Sequence, residues 1–334
     1  GFHAAHPTSS HFGLIGTQDT GSQVRTGDTV WEQTFLADGG GAAFDQVRSQ
    51  YVVAQNNGGS WRGQPQTGFV SPLNRTAGGG GVSAAYAAEA GSTAFYSGCA
   101  SVRSGNTSRM AIGTNRVWVS DDIGLAPTNT WGVLGFPNGA AADQGGANNV
   151  GVPARAAAPP LGAVPVGTLG PVLRLRWVTP NHLLALYLRG VVRYVQAGNN
   201  WTATIVLPGA ANAPVFTTRQ EIYTDVAPVP GTNDFYLTTS GNTTNALTDT
   251  CFFFDSNTGA NGTFVPTGLR RQLDTPPPPD NGPLDPAYSV VVDPANPTDV
   301  YVGTVGGIWR GVRGAGAGHP HAWNTEVNGL PEAL

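Results

Sequence analysis

Few residues in this chain are equipped for chemistry, and the most suggestive stand on glycine-rich turns. Asp19 lies in Thr17-Gln18-Asp19-Thr20-Gly21, and Asp38 in Ala37-Asp38-Gly39-Gly40-Gly41. A carboxylate so placed can accept backbone N–H bonds and hold its turn. With nearby carbonyls it can also ligate calcium, which takes oxygen donors. It can serve as a general acid or base. Turn stabilisation is the simplest of the three. The histidines gather near the two ends, His3, His6 and His11 at one and His319 and His321 at the other. A metal site joining them is conceivable if the ends meet, but solvated loop histidines are the simpler reading. No Cys/His spacing suits zinc, so neither a metal nor any other cofactor is assigned. The chain has no phosphate-binding loop and no nucleophile elbow. Cys99 and Cys251 are too few for a disulfide framework and are expected to be buried free thiols in non-adjacent repeats.

The elements that must position these residues follow from composition. Glycine (47) and proline (26) exceed a fifth of the 334 residues. There is no Gly-X-Y period, and 8 Trp, 9 Tyr and 13 Phe argue against disorder. The glycine and proline therefore read as turn chemistry between many short strands. Charged residues are only 11% of the chain, all the basic ones are arginine, and the net charge is −4. With no basic stripe, nucleic acid is excluded as a partner. No apolar run reaches the ~18 residues of a membrane span. The opening Gly1-Phe2-His3 carries neither an initiator methionine nor a signal peptide, which suggests a processed product or an excerpt of something longer.

A repeat organises the strands. Near the end of the chain, Ser289-Val290-Val291-Val292 precedes the turn Asp293-Pro294-Ala295-Asn296-Pro297. Val300-Tyr301-Val302-Gly303-Thr304, Gly307-Ile308-Trp309-Arg310 and Trp323-Asn324-Thr325-Glu326-Val327 follow. Four short strands in about 45 residues make one propeller blade. The same rhythm recurs five times upstream. The expected fold is all-β, a six-bladed β-propeller in one domain. Its blades fall at 1–36, 37–72, 73–136, 172–210, 216–270 and 285–331, with a long loop insertion at 137–171. Seven blades, or a share in a larger ring, is the alternative.

The third repeat carries the most specific motif. Ser120-Asp121-Asp122-Ile123-Gly124 followed by Thr130-Trp131 resembles the Asp box of BNR-type propellers, Ser-x-Asp-x-Gly-x-Thr-Trp, interrupted here by Leu125 to Asn129. The resemblance implies that Ser120, Asp122, Gly124, Thr130 and Trp131 are structural, with Asp122 pinning a turn between a blade's third and fourth strands. The succession Gly16-Thr17-Gln18-Asp19, Ala37-Asp38-Gly39, Gly113-Thr114-Asn115-Arg116 and Asp293-Pro294-Ala295 is similar to large secreted repeat proteins of the sialidase-like, xyloglucanase-like and sortilin-like kinds. In the xyloglucanase class two aspartates on glycine-rich turns face a cleft. This makes Asp19 and Asp38 the catalytic candidates for an inverting glycoside hydrolase, whose carboxyl groups stand about 6.5–9.5 Å apart. A sialidase would need a Tyr–Glu pair, for which Glu221-Ile222-Tyr223 offers only sequence proximity.

Eroded boxes, few acids and long Ala/Gly/Pro loops favour a non-enzymatic module over a hydrolase. The partner expected is a protein or a glycan, another domain of the same precursor, or another copy of the chain. A structural subunit of a larger assembly is a further alternative. Sequons at Asn74, Asn106, Asn200, Asn242 and Asn261 fit an extracellular or cell-surface glycoprotein.

Overall fold

In the computed structural model the described residues are 2–9, 11–17, 19–27, 30–35, 38–48, 51–56, 60–65, 71–72, 98–113, 117–121, 132–134, 169–198, 200–214, 222–240, 249–269, 286–304, 306–316 and 318–325. All the regular elements among them are strands. The first sheet holds β1 (Phe2–Ala5), β2 (Phe12–Thr17), β3 (Gly21–Thr26) and β4 (Trp31–Phe35). The next holds β5 (Gly39–Phe44), β6 (Tyr51–Asn56), β7 (Ser60–Pro65) and β8 (Ser71–Pro72). Then come β9 (Cys99–Ser104), β10 (Thr107–Gly113), β11 (Val117–Ser120) and β12 (Gly132–Leu134). A fourth sheet has β13 (Val172–Thr179), β14 (His182–Tyr187), β15 (Gly190–Ala197) and β16 (Asn200–Leu207). The last two are β17 (Tyr223–Pro228), β18 (Phe235–Thr239), β19 (Cys251–Asp255) and β20 (Thr263–Pro266), and β21 (Ala287–Val292), β22 (Asp299–Thr304), β23 (Gly307–Arg313) and β24 (His321–Thr325). Each sheet follows chain order, the meander of a propeller blade.

The expectation of six blades is corrected to five four-stranded blades. The exception is the β5–β8 sheet, whose outer strand is a two-residue stub. Among the described residues it pairs with β7 at Arg62↔Pro72 and Gly63↔Ser71. Pro65 ends β7 and Pro72 ends β8, and neither has an N–H to give a ladder. The sheet that a seventh blade would need falls within 137–172, nearly all of it outside the described residues.

The chain divides into two compact units, Gly1–Leu188 with Val192–Thr204, and Arg189–Val191 with Ile205–Leu334. In the first, period-two alternation buries one face of the β1–β4 blade. Leu14, Val24 and the partly buried Ala4 pack with Ala42 and Phe44 of β5. The seam is tight because both sides are glycine. A Cβ on Gly16 would stand 2.0 Å from the carbonyl oxygen of Gly40, and one on Gly39 would stand 2.4 Å from that of Gly21. In the second unit, Ala227, Tyr236, Cys251 and Phe253 of the β17–β20 blade meet Val290, Val292, Val300, Val302 and Trp309 of the β21–β24 blade. These β-branched and aromatic side chains suit a pleated, buried surface.

Candidate functional site

The glycine seam places Asp19 and Asp38 together. Asp19 occupies the β2–β3 turn with φ 65°, a left-handed conformation that Asp adopts more readily than most residues. The turn is stitched by its neighbours: Thr17 Oγ1 donates to the Gly21 carbonyl at 3.1 Å and contacts the Thr20 hydroxyl, and Gln33 Nε2 donates to the Thr20 carbonyl at 2.7 Å. Asp38 stands directly before β5, and its Oδ1 accepts the backbone N–H of Asp19 at 2.7 Å. One carboxylate is therefore engaged in holding the turn that carries the other. The Asp19 side chain is exposed.

Of the expected Asp-box residues, Ser120 is buried at the end of β11, while Asp122, Gly124, Thr130 and Trp131 lie outside the described residues. The neighbouring Asp121 is among the described residues. Its carboxylate pairs with Arg109, through Nε to Oδ1 and Nη2 to Oδ2. The Arg109 side chain is 9% exposed and that of Asp121 61%. Arg109 Nη1 also lies 2.6 Å from the Pro180 carbonyl, 3.1 Å from Asn181 Oδ1 and 2.6 Å from Gln196 Oε1. Its guanidinium sits over the Trp201 ring, 5.6 Å from the centroid. This ties the β9–β12 blade to the β13–β16 blade, and nothing in the sequence pattern pointed to it.

The second unit holds a cluster of polar groups set among aromatic rings. His321 Nε2 and the Tyr236 hydroxyl are 2.8 Å apart, and His319 Nε2 and Asp255 Oδ2 3.0 Å. His321 stacks on Trp323, His319 lies against Phe253, and Arg313 covers the Phe253 ring at 4.7 Å. Burial, with the charges of Arg313 and His319 adding to it, holds His321 down at about 4. Burial pushes the Tyr236 hydroxyl up. It also pushes Asp255 up, but the Asn257 N–H and His319 together outweigh it, and the carboxyl sits below its ordinary value. His319 and His321 are thus packed rather than solvated loop residues. Asp234 accepts Ser256 N and Oγ, and Asp299 binds Arg310 at 2.5 Å. The repeated strings Asp234-Phe235-Tyr236-Leu237 and Asp299-Val300-Tyr301-Val302 are the signal that could have marked these positions.

Among the sequons, Asn106, Asn200 and Asn261 are exposed, and Asn74 and Asn242 lie outside the described residues. Cys99 and Cys251 are free and buried, and burial raises both thiols, that of Cys251 to about 12. Among the described residues no group of three His, Cys, Asp or Glu is arranged to hold a metal, and no helix is long and apolar enough to cross a membrane.

No family model matches the chain, and no curated protein matches it. Solved structures do. The Myceliophteria thermophila Cps50 (Swd1) beta-propeller domain is similar at 11% identity and a TM-score of 0.55, over 91% of this chain and 80% of that one. An ancestral GH74 enzyme is similar at 12% identity and a TM-score of 0.56, over 97% of this chain and 38% of that one. The GH74 xyloglucanase from Xanthomonas campestris is similar at 13% identity and a TM-score of 0.56, over 96% of this chain and 46% of that one. This chain thus spans less than half the length of either GH74 enzyme. At such identities the likeness concerns the fold, and the fold is a β-propeller built of repeats.

Proposed function

We propose that this chain is a non-enzymatic interaction or assembly module of the extracellular space or the cell surface, with a protein as its partner. The observation that carries this reading is the exposure of large apolar side chains on a strand. Tyr288 and Val291 of β21 are 54% and 58% exposed. On a rigid sheet such residues mark a contact surface. The engagement of Asp38 with the Asp19 amide supports the same reading, since a base held in its turn is poorly placed to activate water. The exposed Asn106, Asn200 and Asn261 support a secreted setting. The stretch from Ser120 to Trp131 is read as a surviving Asp box with a structural role. No cofactor is needed.

The hydrolase reading keeps one supporting observation, the proximity of Asp19 and Asp38. One experiment separates the two. The protein and its Asp19→Asn and Asp38→Asn variants are assayed on xyloglucan and sialosides, and a photo-crosslinking residue at Tyr288 is exposed to cell-surface protein and glycan fractions. The interaction reading expects no hydrolysis and a saturable protein adduct at Tyr288 that is absent when the probe sits at Val195. Hydrolysis abolished by either Asp→Asn change, or an adduct with glycan alone, would overturn it.

A further inference from the structure

The three sequon asparagines among the described residues share one place in the blade. In a four-stranded meander the first-to-second and third-to-fourth turns leave the sheet at one end of its strands, the hairpin end. The second-to-third turn and the link to the next blade leave at the other, the link end. Asn106 is on the β9–β10 turn, Asn200 opens β16 directly after the β15–β16 turn, and Asn261 is on the β19–β20 turn. All three therefore stand at the hairpin end. Asp19, on the β2–β3 turn, and Asp38, on the link into β5, stand at the link end. So do Ile222, directly before β17, and Tyr288, near the start of β21.

Within the first unit these ends line up from blade to blade. The Asp19–Asp38 bond joins the link ends of the first two blades. Gln46, just past β5, donates its backbone N–H to Ser108 Oγ at 2.9 Å and its Nε2 to Ser101 Oγ at 2.9 Å, joining hairpin ends. Arg109, beside the β9–β10 turn, reaches the Pro180 and Asn181 oxygens of the β13–β14 turn and Gln196 beside the β15–β16 turn. Asn106 and Asn200 are thus on one side of this unit and the two aspartates on the other. The 7 residues of β10, at about 3.3 Å each, set the two sides about 20 Å apart. In the second unit the His319–Asp255 contact joins the hairpin ends. Asn261 lies on that side, and Ile222 and Tyr288 on the other.

Each of the three side chains is available. Asn106 takes the second position of the two-residue turn that Gly105, at φ 60°, opens between Ser104 and Thr107. Asn261 lies between Gly259 and Gly262, at φ 70° and 80°. All three asparagines are exposed. None of their carboxamides is hydrogen-bonded among the described residues, whereas those of Asn181 and Asn296 accept from Arg109 and Thr298. The hydroxyls that complete the sequons differ. Thr202 is exposed, Thr263 Oγ1 donates to the Thr258 carbonyl at 3.2 Å, and Ser108 is fully buried with its Oγ accepting the Gln46 N–H.

We propose that Asn106, Asn200 and Asn261 carry N-linked glycans, which stand at the hairpin end in each unit and leave Tyr288 uncovered at the link end. In each transfer the carboxamide nitrogen bonds to the anomeric carbon of an oligosaccharide carried on a polyprenyl pyrophosphate. The C–O bond to the pyrophosphate breaks, the lipid pyrophosphate leaves, and one amide proton is released. Because Ser108 is sealed by Gln46, Asn106 is modified on the chain before its blade packs. The inference rests on the extracellular reading above and deepens it, since bulky, solubilising sugars at this end do not mask the proposed contact residue.

The test is peptide mapping of the whole native protein from its source, with the glycans released by an amidase in heavy-oxygen water. Release leaves a labelled aspartate at each occupied position, and label is expected at 106, 200 and 261. Label missing from any of the three would overturn the proposal. Unlabelled protein recovered outside the cell would do so while leaving the extracellular reading intact, and unlabelled protein confined to the cytosol would overturn both. The Tyr288 adduct should form in equal yield before and after glycan release, and an adduct lost or gained on release would refute the separation of the two ends. Folded, unglycosylated protein offered to an oligosaccharyl transferase should accept sugar at Asn200 and not at Asn106. Acceptance at both would refute the order of events drawn from Ser108.

Discussion

Arg109 offers the sharpest perturbation of the scaffold. Its guanidinium is buried, and it serves an exposed carboxylate together with the Pro180, Asn181 and Gln196 oxygens. Arg109→Met keeps the apolar stem and removes every one of these bonds. Breaking a buried charged network costs about 3–5 kcal/mol, because acceptors taken out of water lose their donor. Asp121→Asn removes the opposite charge from a side chain that is 61% exposed, where solvent screens the pair, and should cost under about 1 kcal/mol. The two changes are therefore strongly unequal although they break the same ion pair. Urea unfolding followed by tryptophan fluorescence measures both, and Trp201, which lies under the guanidinium, is a local reporter. A double-mutant cycle should assign less than about 1 kcal/mol to the Arg109–Asp121 coupling. Equal losses from the two single changes, or an Arg109→Met loss below about 1 kcal/mol, would refute the view that the carbonyl and amide contacts dominate.

Two further outcomes follow from burial. His182 is 7% exposed, and burial with the nearby Arg193 charge lowers it to about 4. The unfolded chain, at the ordinary value near 6.5, takes up the proton first, so stability is complete above about pH 6.5 and falls as pH drops towards 4. The loss is about 3 kcal/mol at full protonation, visible as a falling urea midpoint between pH 7 and 4.5. It should become shallower in His182→Gln, with His321, also held at about 4, keeping the remainder, and an unchanged pH slope in that variant would count against the assignment. Cys99 and Cys251 should ignore an aromatic disulfide reagent in the native protein and react as two thiols on unfolding without reductant. A rapidly reacting native thiol, or a silent unfolded one, would contradict their free and buried state.

The strands were legible where their chemistry is local. β22 announces itself by alternating β-branched and aromatic residues after Asp293-Pro294, and β14 by an unbroken apolar run. The Cys99–Ser104 strand did not, because its mixed polar sequence is a strand only through its pairing with β10. The blade count failed at the β5–β8 sheet, whose outer strand among the described residues is Ser71–Pro72 and ends on a residue with no N–H to give. Asp19 and Asp38 were picked out by turn composition. That one would bind the amide of the other depends on a seam between blades, which no local window contains. Arg109 was missed for the same reason, since its acceptors are 71, 72 and 87 residues away. The histidines near the end of the chain were misjudged as solvated because proximity to a terminus suggested exposure, whereas His321 belongs to a strand packed between Trp323 and Tyr236.

The seam at Gly16, Gly21, Gly39 and Gly40 bears on how variation in this chain is to be read. Two main chains meet there at van der Waals distance with no side chain between them, so no rotamer can absorb a change on either strand. A mutational scan should find Gly16 and Gly39, where a Cβ would strike the facing main chain, as intolerant as any active centre, though neither could touch a ligand through a side chain. Intolerance at 16 and 39 would report the fixed spacing of two strands. Asp38 belongs with them, because its carboxylate holds the Asp19 amide across the seam, and it is at the exposed Asp19 side chain that tolerance speaks to what the surface is for.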